Sequence, residues 1–279
     1  MYGIIYDNDS GVKEDWVLKK NMYIPIVQGM AVTAIFLLTE IVLNLLGAFD
    51  GDIQLYLVDI PIRLVFGTIA LILLAFSFKK QRSKFSLKEL FTNAIPKSAY
   101  KLLLPFVLFL IIELLTMITA EEISMKALGI FGLNSVQQLT TGYFEEASRA
   151  LLMCGLLKYN ISTKKNRLYT IFIAGICFGL SHMLNFFFGN DILSTLWQVF
   201  SCFVWGLFVA SIYMLSENLT LIMLMHALWD IIIRVPNAFC RLPENSILLD
   251  GMYIIQDIIQ FGIMTAASVY ICIKYDKLR

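Results

Sequence analysis

The chain alternates long apolar stretches with short polar connections. The stretches lie at about 22–46, 57–78, 101–120, 137–157, 168–188, 192–215, 219–234 and 252–273. Most approach the length of about 20 residues that a helix needs to cross a bilayer, and this length excludes a barrel of short strands. The pattern predicts an all-α, polytopic transmembrane helical bundle of about eight spans, forming a single integral membrane domain over residues 1–279.

Composition agrees with a membrane protein. Hydrophobic residues make up 58% of the chain and charged residues 15%, against about 25% charged residues in a typical soluble domain. A net charge of +1 gives no support for a nucleic-acid partner. The first apolar stretch is too long for a signal-peptide core and lacks a clear cleavage site, so we expect it to be retained as the first span.

Basic residues predict the orientation. Most of the 22 Lys and Arg residues fall in the N-terminal segment, the connections 79–101 and 158–167, and the C-terminal segment. Only Lys126, Arg234 and Arg241 fall in connections on the opposite side. The positive-inside rule therefore places both termini in the cytoplasm. The polar connection 79–96 is predicted to form a short surface helix.

Ionisable residues inside the apolar stretches are the main functional candidates. His182 and His226 are the only histidines of the chain, and another stretch carries Glu145, Glu146 and Arg149. An ionisable group at membrane depth costs about 2.5–3.5 kcal/mol on insertion scales, so such groups usually mark a path, a ligand site or a reaction. We expect the functional core to lie within 137–234.

The glutamate pair suggests acid–base chemistry. Glu145 and Glu146 point about 100° apart on a helix, so we expect one to face the reacting centre and the other to support it. Arg149 follows Glu145 by four residues and Glu146 by three, within reach of either. One carboxylate kept ionised beside a second, tunable one suits a general base. The alternative is a structural Arg–Glu lock between helices.

Each histidine has a partner at helical spacing. Phe178 precedes His182 by four residues, and Asp230 follows His226 by four, so each pair shares a helix face. A carboxylate one turn away can fix an imidazole tautomer, and a neutral imidazole is both a proton carrier and a metal ligand. A hydrogen-bonded contact between helices is the alternative for either histidine.

Two predictions concern groups outside this core. Asp59 and Arg63 are four residues apart in the second stretch, which predicts an ion pair near its outer end. Glu40 lies deep in the first stretch, where we expect a bond across helices and assign no functional role.

The three motifs resemble those of the CPBP superfamily of intramembrane proteases, which contains the CAAX prenyl endopeptidases and bacteriocin-processing and immunity proteins. That superfamily carries EExxxR on one span, FxxxH on a second and HxxxN or HxxxD on a third. The second motif is complete from Phe178 to His182, and the third runs from His226 to Asp230. The first departs, because residues 145–149 read EEASR and place the arginine one position early.

The resemblance implies an intramembrane endopeptidase that hydrolyses a peptide bond in a membrane-associated protein or peptide. By motif position, Glu145 would be the general base that activates a water, supported by Glu146 and Arg149. A water positioned by a carboxylate and an imidazole, with donors aimed at the tetrahedral intermediate, is a hydrolytic arrangement.

The two histidine motifs would complete that site. His182 would help to hold the water, and His226 with Asp230 would bind the developing oxyanion or orient the water. The alternative is that His182, His226 and Glu145 hold zinc, with a fourth position for water. Because the spacing is not HExxH, the cofactor prediction is either none or Zn²⁺.

The expected partners are membrane lipid and a membrane-bound or lipidated peptide or protein, in a bacterial cell membrane. Three other functions compete with the protease. A non-catalytic scaffold or bacteriocin-immunity protein would bind a peptide in the same cavity. A proton-coupled transporter would show two matching halves, which the sequence lacks, and a bis-histidine haem protein leaves the glutamate pair unexplained.

The predicted boundaries conflict with a shared site. Glu145 and His182 fall toward the outer side of the membrane, whereas His226 follows the inner end of its span by about seven residues, roughly 10 Å of helix. A shared site therefore requires either different boundaries or a seventh helix that begins deep within the protein.

Overall fold

A computed structural model describes residues 13–49, 53–81, 87–115, 125–160, 163–188, 191–235 and 247–278. Every regular element within these ranges is a helix, as the sequence predicts. The elements are α1 Lys13–Leu45, α2 Gln54–Gln81, α3 Leu87–Thr92, α4 Lys97–Leu102, α5 Leu104–Leu115, α6 Met125–Asn160, α7 Lys164–Ser181, a 3₁₀ helix His182–Phe188, α8 Ile192–Ser216, α9 Leu219–Ile232 and α10 Ile247–Leu278.

Five of the eight predicted spans correspond to described segments that are long and apolar enough to cross a membrane. These segments are Tyr23–Leu45, Gln54–Ser77, Lys164–Phe187, Ile192–Ser216 and Ile255–Leu278. The other three predicted spans correspond to α5, the second half of α6, and α9. Residues 116–120 of the third predicted span lie outside the described residues. The total of eight spans and the orientation stay predictions.

Helix α6 lies at the centre of the bundle, where it packs against α1, α2 and α9. Its second half, residues 137–156, is buried on almost every side. The aromatic rings of Phe36 on α1 and Phe144 on α6 pack with their centroids 4.1 Å apart, and Phe66 of α2 joins them. Because this half of α6 has little contact with the surroundings, its polar side chains must find partners inside the protein.

Glycines allow α6 to approach its neighbours closely. A Cβ atom at Gly142 would lie 2.7 Å from the carbonyl oxygen of Met223 and 3.1 Å from the backbone nitrogen of Ala227, both on α9. A Cβ atom at Gly132, ten residues earlier on the same helix, would have no atom within 4 Å. Gly142 therefore sets the distance between α6 and α9, the helices that carry two of the three motifs.

Gly142→Ala is expected to lower the thermal stability of the purified protein. The added methyl group meets backbone atoms of α9, which cannot move aside as a flexible side chain would, and overpacking of this kind costs about 1–3 kcal/mol. Gly132→Ala is the matched control, because its methyl group meets nothing and alanine favours a helix by roughly 1 kcal/mol. Thermal unfolding of both variants in one detergent measures the difference. Equal midpoints would contradict the close approach.

Helix α9 begins inside the protein. Its N-cap, Asn218, is buried and accepts a hydrogen bond from the backbone nitrogen of Leu221. The Asn218 amide nitrogen also donates to the carbonyl oxygen of Asn93 at 2.7 Å, and the Asn93 amide nitrogen donates to the carbonyl oxygen of Glu217 at 3.0 Å. The polar connection that contains α3 thus covers the α8–α9 turn. A shared site required either different span boundaries or a seventh helix that begins deep within the protein, and α9 begins in this way.

A 3₁₀ helix, His182–Phe188, lies between α7 and α8. Asp191 caps α8, accepting hydrogen bonds from the backbone nitrogens of Leu193 and Ser194 at 2.9 and 3.0 Å. Hydrogen bonds from the Ser194 hydroxyl and backbone hold the pKa of the Asp191 carboxyl below its usual range. This cap fixes the start of α8 directly after the 3₁₀ helix that His182 begins.

A buried arginine joins α7 to α10 on the side away from the motifs. Arg167 donates to the Asp276 carboxylate at 2.9 and 3.1 Å and to the carbonyl oxygen of Cys272 at 3.2 Å. Its guanidinium also lies 4.7 Å from the centroid of the Tyr275 ring. Arg167 therefore holds the C-terminal turns of α10 against the bundle.

Candidate active site

Three elements bring the motif residues together around one cavity of about 1600 Å³. Helix α6 contributes the glutamate motif, the end of α7 contributes the first histidine, and α9 contributes the second. Five of the six candidate catalytic residues line the cavity, together with Phe178: Glu145, Arg149, His182, His226 and Asp230. The sixth candidate, Glu146, lies directly behind them with no exposed surface.

The two adjacent glutamates have different environments. Glu145 faces the cavity with 18% of its side chain exposed, whereas the Glu146 side chain is fully buried. Arg149 Nη1 donates to both carboxylate oxygens of Glu146, at 2.5 and 2.6 Å. The arginine therefore pairs with the second glutamate, three residues away, and leaves the first free of it. This division matches the expectation of one site-facing and one supporting carboxylate.

His226 connects the two glutamates. Its Nδ1 lies 2.5 Å from Glu146 Oε1, and its Nε2 lies 3.6 Å from Glu145 Oε2 and 3.5 Å from Asp230 Oδ2. Because the Glu146 carboxylate already accepts two hydrogen bonds from Arg149, it acts as an acceptor toward the ring as well, and Nδ1 carries the hydrogen. Nε2 is then the ring atom that faces Glu145 and Asp230.

His182 lies where α7 ends and the 3₁₀ helix begins. Its Nδ1 lies 3.0 Å from the carbonyl oxygen of Phe178, which also accepts from the Ser181 hydroxyl at 2.6 Å. A carbonyl oxygen only accepts, so Nδ1 of His182 carries the hydrogen here too. The ring lines the same cavity as Glu145, Asp230 and Cys202 of α8.

Phe178 orders the three motifs relative to one another. Its ring lies 3.8 Å from the guanidinium carbon of Arg149, within the range of a cation–π contact. The rings of His182 and His226 meet it in edge contacts, with centroids 4.9 and 5.8 Å away. The phenylalanine of the second motif therefore contacts one charged or imidazole group from each of the three motifs.

Several buried polar atoms beside the glutamates have no hydrogen-bond partner among the described residues. They include Glu145 Oε2, the Nε and Nη2 atoms of Arg149, and the hydroxyl of Ser148. All three residues line the cavity. Buried donors and acceptors are costly unless they are paired. These atoms are therefore suited to contact a water or a polar group of a ligand in the cavity.

Sequence reasoning predicted two contacts of the cluster around Arg63 but missed its approach to Glu145. Its Nε lies 2.7 Å from Asp59 Oδ2, which confirms the predicted ion pair. Its Nη2 lies 2.9 Å from Glu40 Oε1 on α1, and its Nη1 lies 3.9 Å from Glu145 Oε1 on α6. The Glu40 contact agrees with the bond across helices that we expected, whereas no helical spacing links Glu145 to Arg63.

Asp230 also has a partner that the motifs do not indicate. With its amide oriented to satisfy both of its polar atoms, Gln138 of α6 donates to Asp230 Oδ2 at 3.2 Å and accepts from Arg234 Nε at 3.3 Å. Gln138 therefore ties the end of the third motif to α6, two turns before the glutamates.

The predicted zinc ligands do not form a metal cluster in this geometry. Within the described part of the chain, no group of three or more His, Cys, Asp or Glu side chains is arranged to hold a metal ion. Glu145 and His226 are neighbours, whereas the Nδ1 atom of His182 is directed at a backbone carbonyl. Zinc as a cofactor therefore stays one of the two predictions, and the experiment below tests it.

The segment that carries this geometry matches a known family. The family model for type II CAAX prenyl endopeptidase Rce1-like proteins matches residues 102–232, which contain all six candidate residues. Over this segment, which is somewhat less than half of the chain, the protein is similar to the Rce1-like family. The resemblance to the CPBP superfamily is thereby confirmed. No curated protein and no solved structure matches the chain.

Family and fold agree on the class of protein. The Rce1-like match supports an intramembrane endopeptidase at the level of the family. The five long apolar helices are those of an integral membrane protein. Within the matched segment, Arg149 of the variant EExxR motif pairs with Glu146.

Proposed function

We propose that the protein is an intramembrane endopeptidase in which Glu145 is the general base for the attacking water. The position of Glu145 carries this proposal. Its carboxylate faces the cavity, and Oε2 lies 3.6 Å from His226 Nε2 with no hydrogen-bond partner among the described residues. A general base must reach the proton that it takes directly or through one water, and a carboxylate that lines the cavity beside His226 supports this role.

In the proposed reaction Glu145 takes a proton from water as the water oxygen attacks the carbonyl carbon of the scissile bond. The carboxyl group then returns that proton to the leaving amine nitrogen. Glu146 and Arg149 support the step indirectly, because they hold Nδ1 of His226 and so direct its Nε2 toward the water.

The two histidines have different roles in the proposed reaction. His182 helps to hold the water near Glu145. His226, with Asp230 3.5 Å from its Nε2, orients the water or, when protonated, donates to the oxyanion. Hydrogen-bond donors aimed at a developing oxyanion typically contribute about 10²–10³ in rate. A gain of this size can offset the energetic cost of burying the Arg149–Glu146 ion pair, which fixes the orientation of the imidazole.

The proposed substrate is a membrane-bound or lipidated peptide. The cavity of about 1600 Å³ extends beyond the motifs to apolar side chains of α1, α8 and α10, which include Leu37, Trp197 and Phe261. This combination accommodates an extended peptide together with a hydrocarbon chain. Because the matching family is named for CAAX prenyl endopeptidases, a farnesylated peptide that ends in a CAAX sequence is the first substrate to test.

The test compares purified wild-type protein with Glu145→Gln in liposomes. The substrates are an internally quenched, farnesylated CAAX peptide and the same peptide without the farnesyl group. We expect cleavage of the farnesylated peptide by wild type and a kcat lower by about 100-fold or more in the variant. Cleavage by Glu145→Gln at the wild-type rate would contradict the proposal. Binding without cleavage by wild type would indicate the non-catalytic scaffold.

The same cleavage assay in the presence of a metal chelator tests whether the reaction depends on zinc. If the wild-type rate is indifferent to chelator while Glu145→Gln is inactive, the glutamate route is supported. If chelator removes activity and added zinc restores it, a metal-dependent reaction is supported.

A further inference from the structure

We infer that Arg63 of α2 is a positioning residue for Glu145, an inference that rests on the proposed function. Arg63 lies before the segment that matches the family model, so the family assignment says nothing about it. Its role follows from the way in which three carboxylates and one guanidinium are placed at the edge of the cavity.

Glu145 receives its nearest arginine from another helix. Arg149, which helical spacing places within reach of Glu145, directs Nη1 at both oxygens of Glu146. The cation beside Glu145 is instead Arg63, whose Nη1 lies 3.9 Å from Oε1. The other oxygen, Oε2, faces His226 Nε2 at 3.6 Å. The two oxygens of the proposed base are therefore held from opposite sides, by α2 and by α9.

Arg63 is itself held rigidly. Its Nε and Nη2 atoms contact Asp59 at 2.7 Å and Glu40 at 2.9 Å, and its guanidinium carbon lies 5.1 Å from the centroid of the Phe36 ring. Three nitrogen atoms of one planar group are thus each directed at a different carboxylate. A guanidinium fixed in this way has a preset geometry that a lysine ammonium cannot reproduce.

The cluster is also tied to the helix that carries the base. Gln137 of α6 donates to Asp59 Oδ2 at 2.6 Å. Residue 137 precedes Glu145 by eight residues, which is about two helical turns. The contacts through Gln137 and Glu145 therefore fix α2 against α6 at two levels, and they fix the guanidinium relative to the backbone of the base.

A simple lock between α1 and α2 would need only the contacts of Arg63 with Glu40 and Asp59. The third nitrogen faces Glu145, and Arg63 and Glu145 line the same cavity. With only 15% of the Arg63 side chain exposed, its charge acts on Glu145 with less screening than in water. Arg63 thus restrains the carboxylate that must meet the water.

The experiment uses the full chain in liposomes and the two quenched peptides described above. Arg63→Gln is expected to lower kcat by about 10- to 100-fold with KM changed by less than about threefold, because a misplaced base affects the chemical step rather than substrate binding. Arg63→Lys keeps the charge without the planar fork and is expected to recover part of kcat. Arg167→Gln is the matched control, since Arg167 is also a buried, paired arginine but does not line the cavity. It is expected to lower Tm and leave kcat unchanged.

Each outcome decides the inference. A kcat of Arg63→Gln within about threefold of wild type, or an equal loss in Arg167→Gln, overturns it and leaves the proposed function standing. If Arg63→Gln does not fold, Arg63→Lys decides: a lower kcat at unchanged KM supports the inference, and a wild-type kcat with a lower Tm overturns it. If wild type cleaves neither peptide, or Glu145→Gln is as active as wild type, the proposed function fails and this inference fails with it.

Discussion

Arg149→Gln is expected to be the most destabilising single substitution in the site. Arg149 is 4% exposed and donates to both oxygens of a fully buried Glu146. Removing one partner of a buried ion pair leaves an uncompensated charge and costs about 3–5 kcal/mol. The contact of the guanidinium with the Phe178 ring is lost as well. Chemical or thermal unfolding of the purified variant measures the change.

A double variant separates the charge from the packing. Arg149→Gln combined with Glu146→Gln removes both charges, so it is expected to be more stable than Arg149→Gln alone. Cleavage should stay impaired in the double variant, because His226 has lost the carboxylate that fixes its Nδ1. Stability losses that simply add across the two single variants would show that the pair is not coupled.

His226→Ala is expected to have the largest effect on cleavage. The substitution removes the Nε2 atom that faces Glu145 and Asp230, and it leaves Glu146 without its hydrogen bond from the ring. Loss of a group that both orients the water and stabilises the oxyanion should lower kcat by about 10³-fold or more. Steady-state cleavage of the farnesylated peptide measures the change.

His182→Ala is the comparison for that prediction. His182 is only partly buried, and its Nδ1 contacts a backbone carbonyl rather than a carboxylate. Its removal should therefore lower kcat by a smaller factor than removal of His226. A larger loss in His182→Ala would mean that the roles of the two histidines in the proposed reaction are reversed.

Helix periodicity was sufficient to predict much of the site. The four-residue spacing of Phe178 and His182 corresponds to a ring contact, and that of His226 and Asp230 to a distance of 3.5 Å. The pairing of Arg149 could not be predicted, because positions three and four residues away are both within reach on a helix. His226, from another helix, contacts Glu146 from the side, and no local pattern encodes that contact.

Contacts between residues far apart in the sequence could not be predicted. Apolar length predicted the five segments that are long and apolar enough to cross a membrane. The buried start of α9, however, depends on a hydrogen bond between Asn218 and Asn93, which are 125 residues apart. The approach of Arg63 to Glu145 likewise joins two helices whose sequences show no common spacing. Such contacts follow from how the helices pack, which the pattern of one chain does not specify.

The shortness of α9 has a consequence for the surrounding bilayer. Its 14 residues extend ~21 Å, against a hydrocarbon thickness of ~30 Å. Its exposed side chains, Leu224 and Leu228, are apolar. Lipids adapt to a short apolar helix by drawing their headgroup layers together. We therefore expect the bilayer to be thinner beside α9, which shortens the hydrocarbon layer between bulk water and His226.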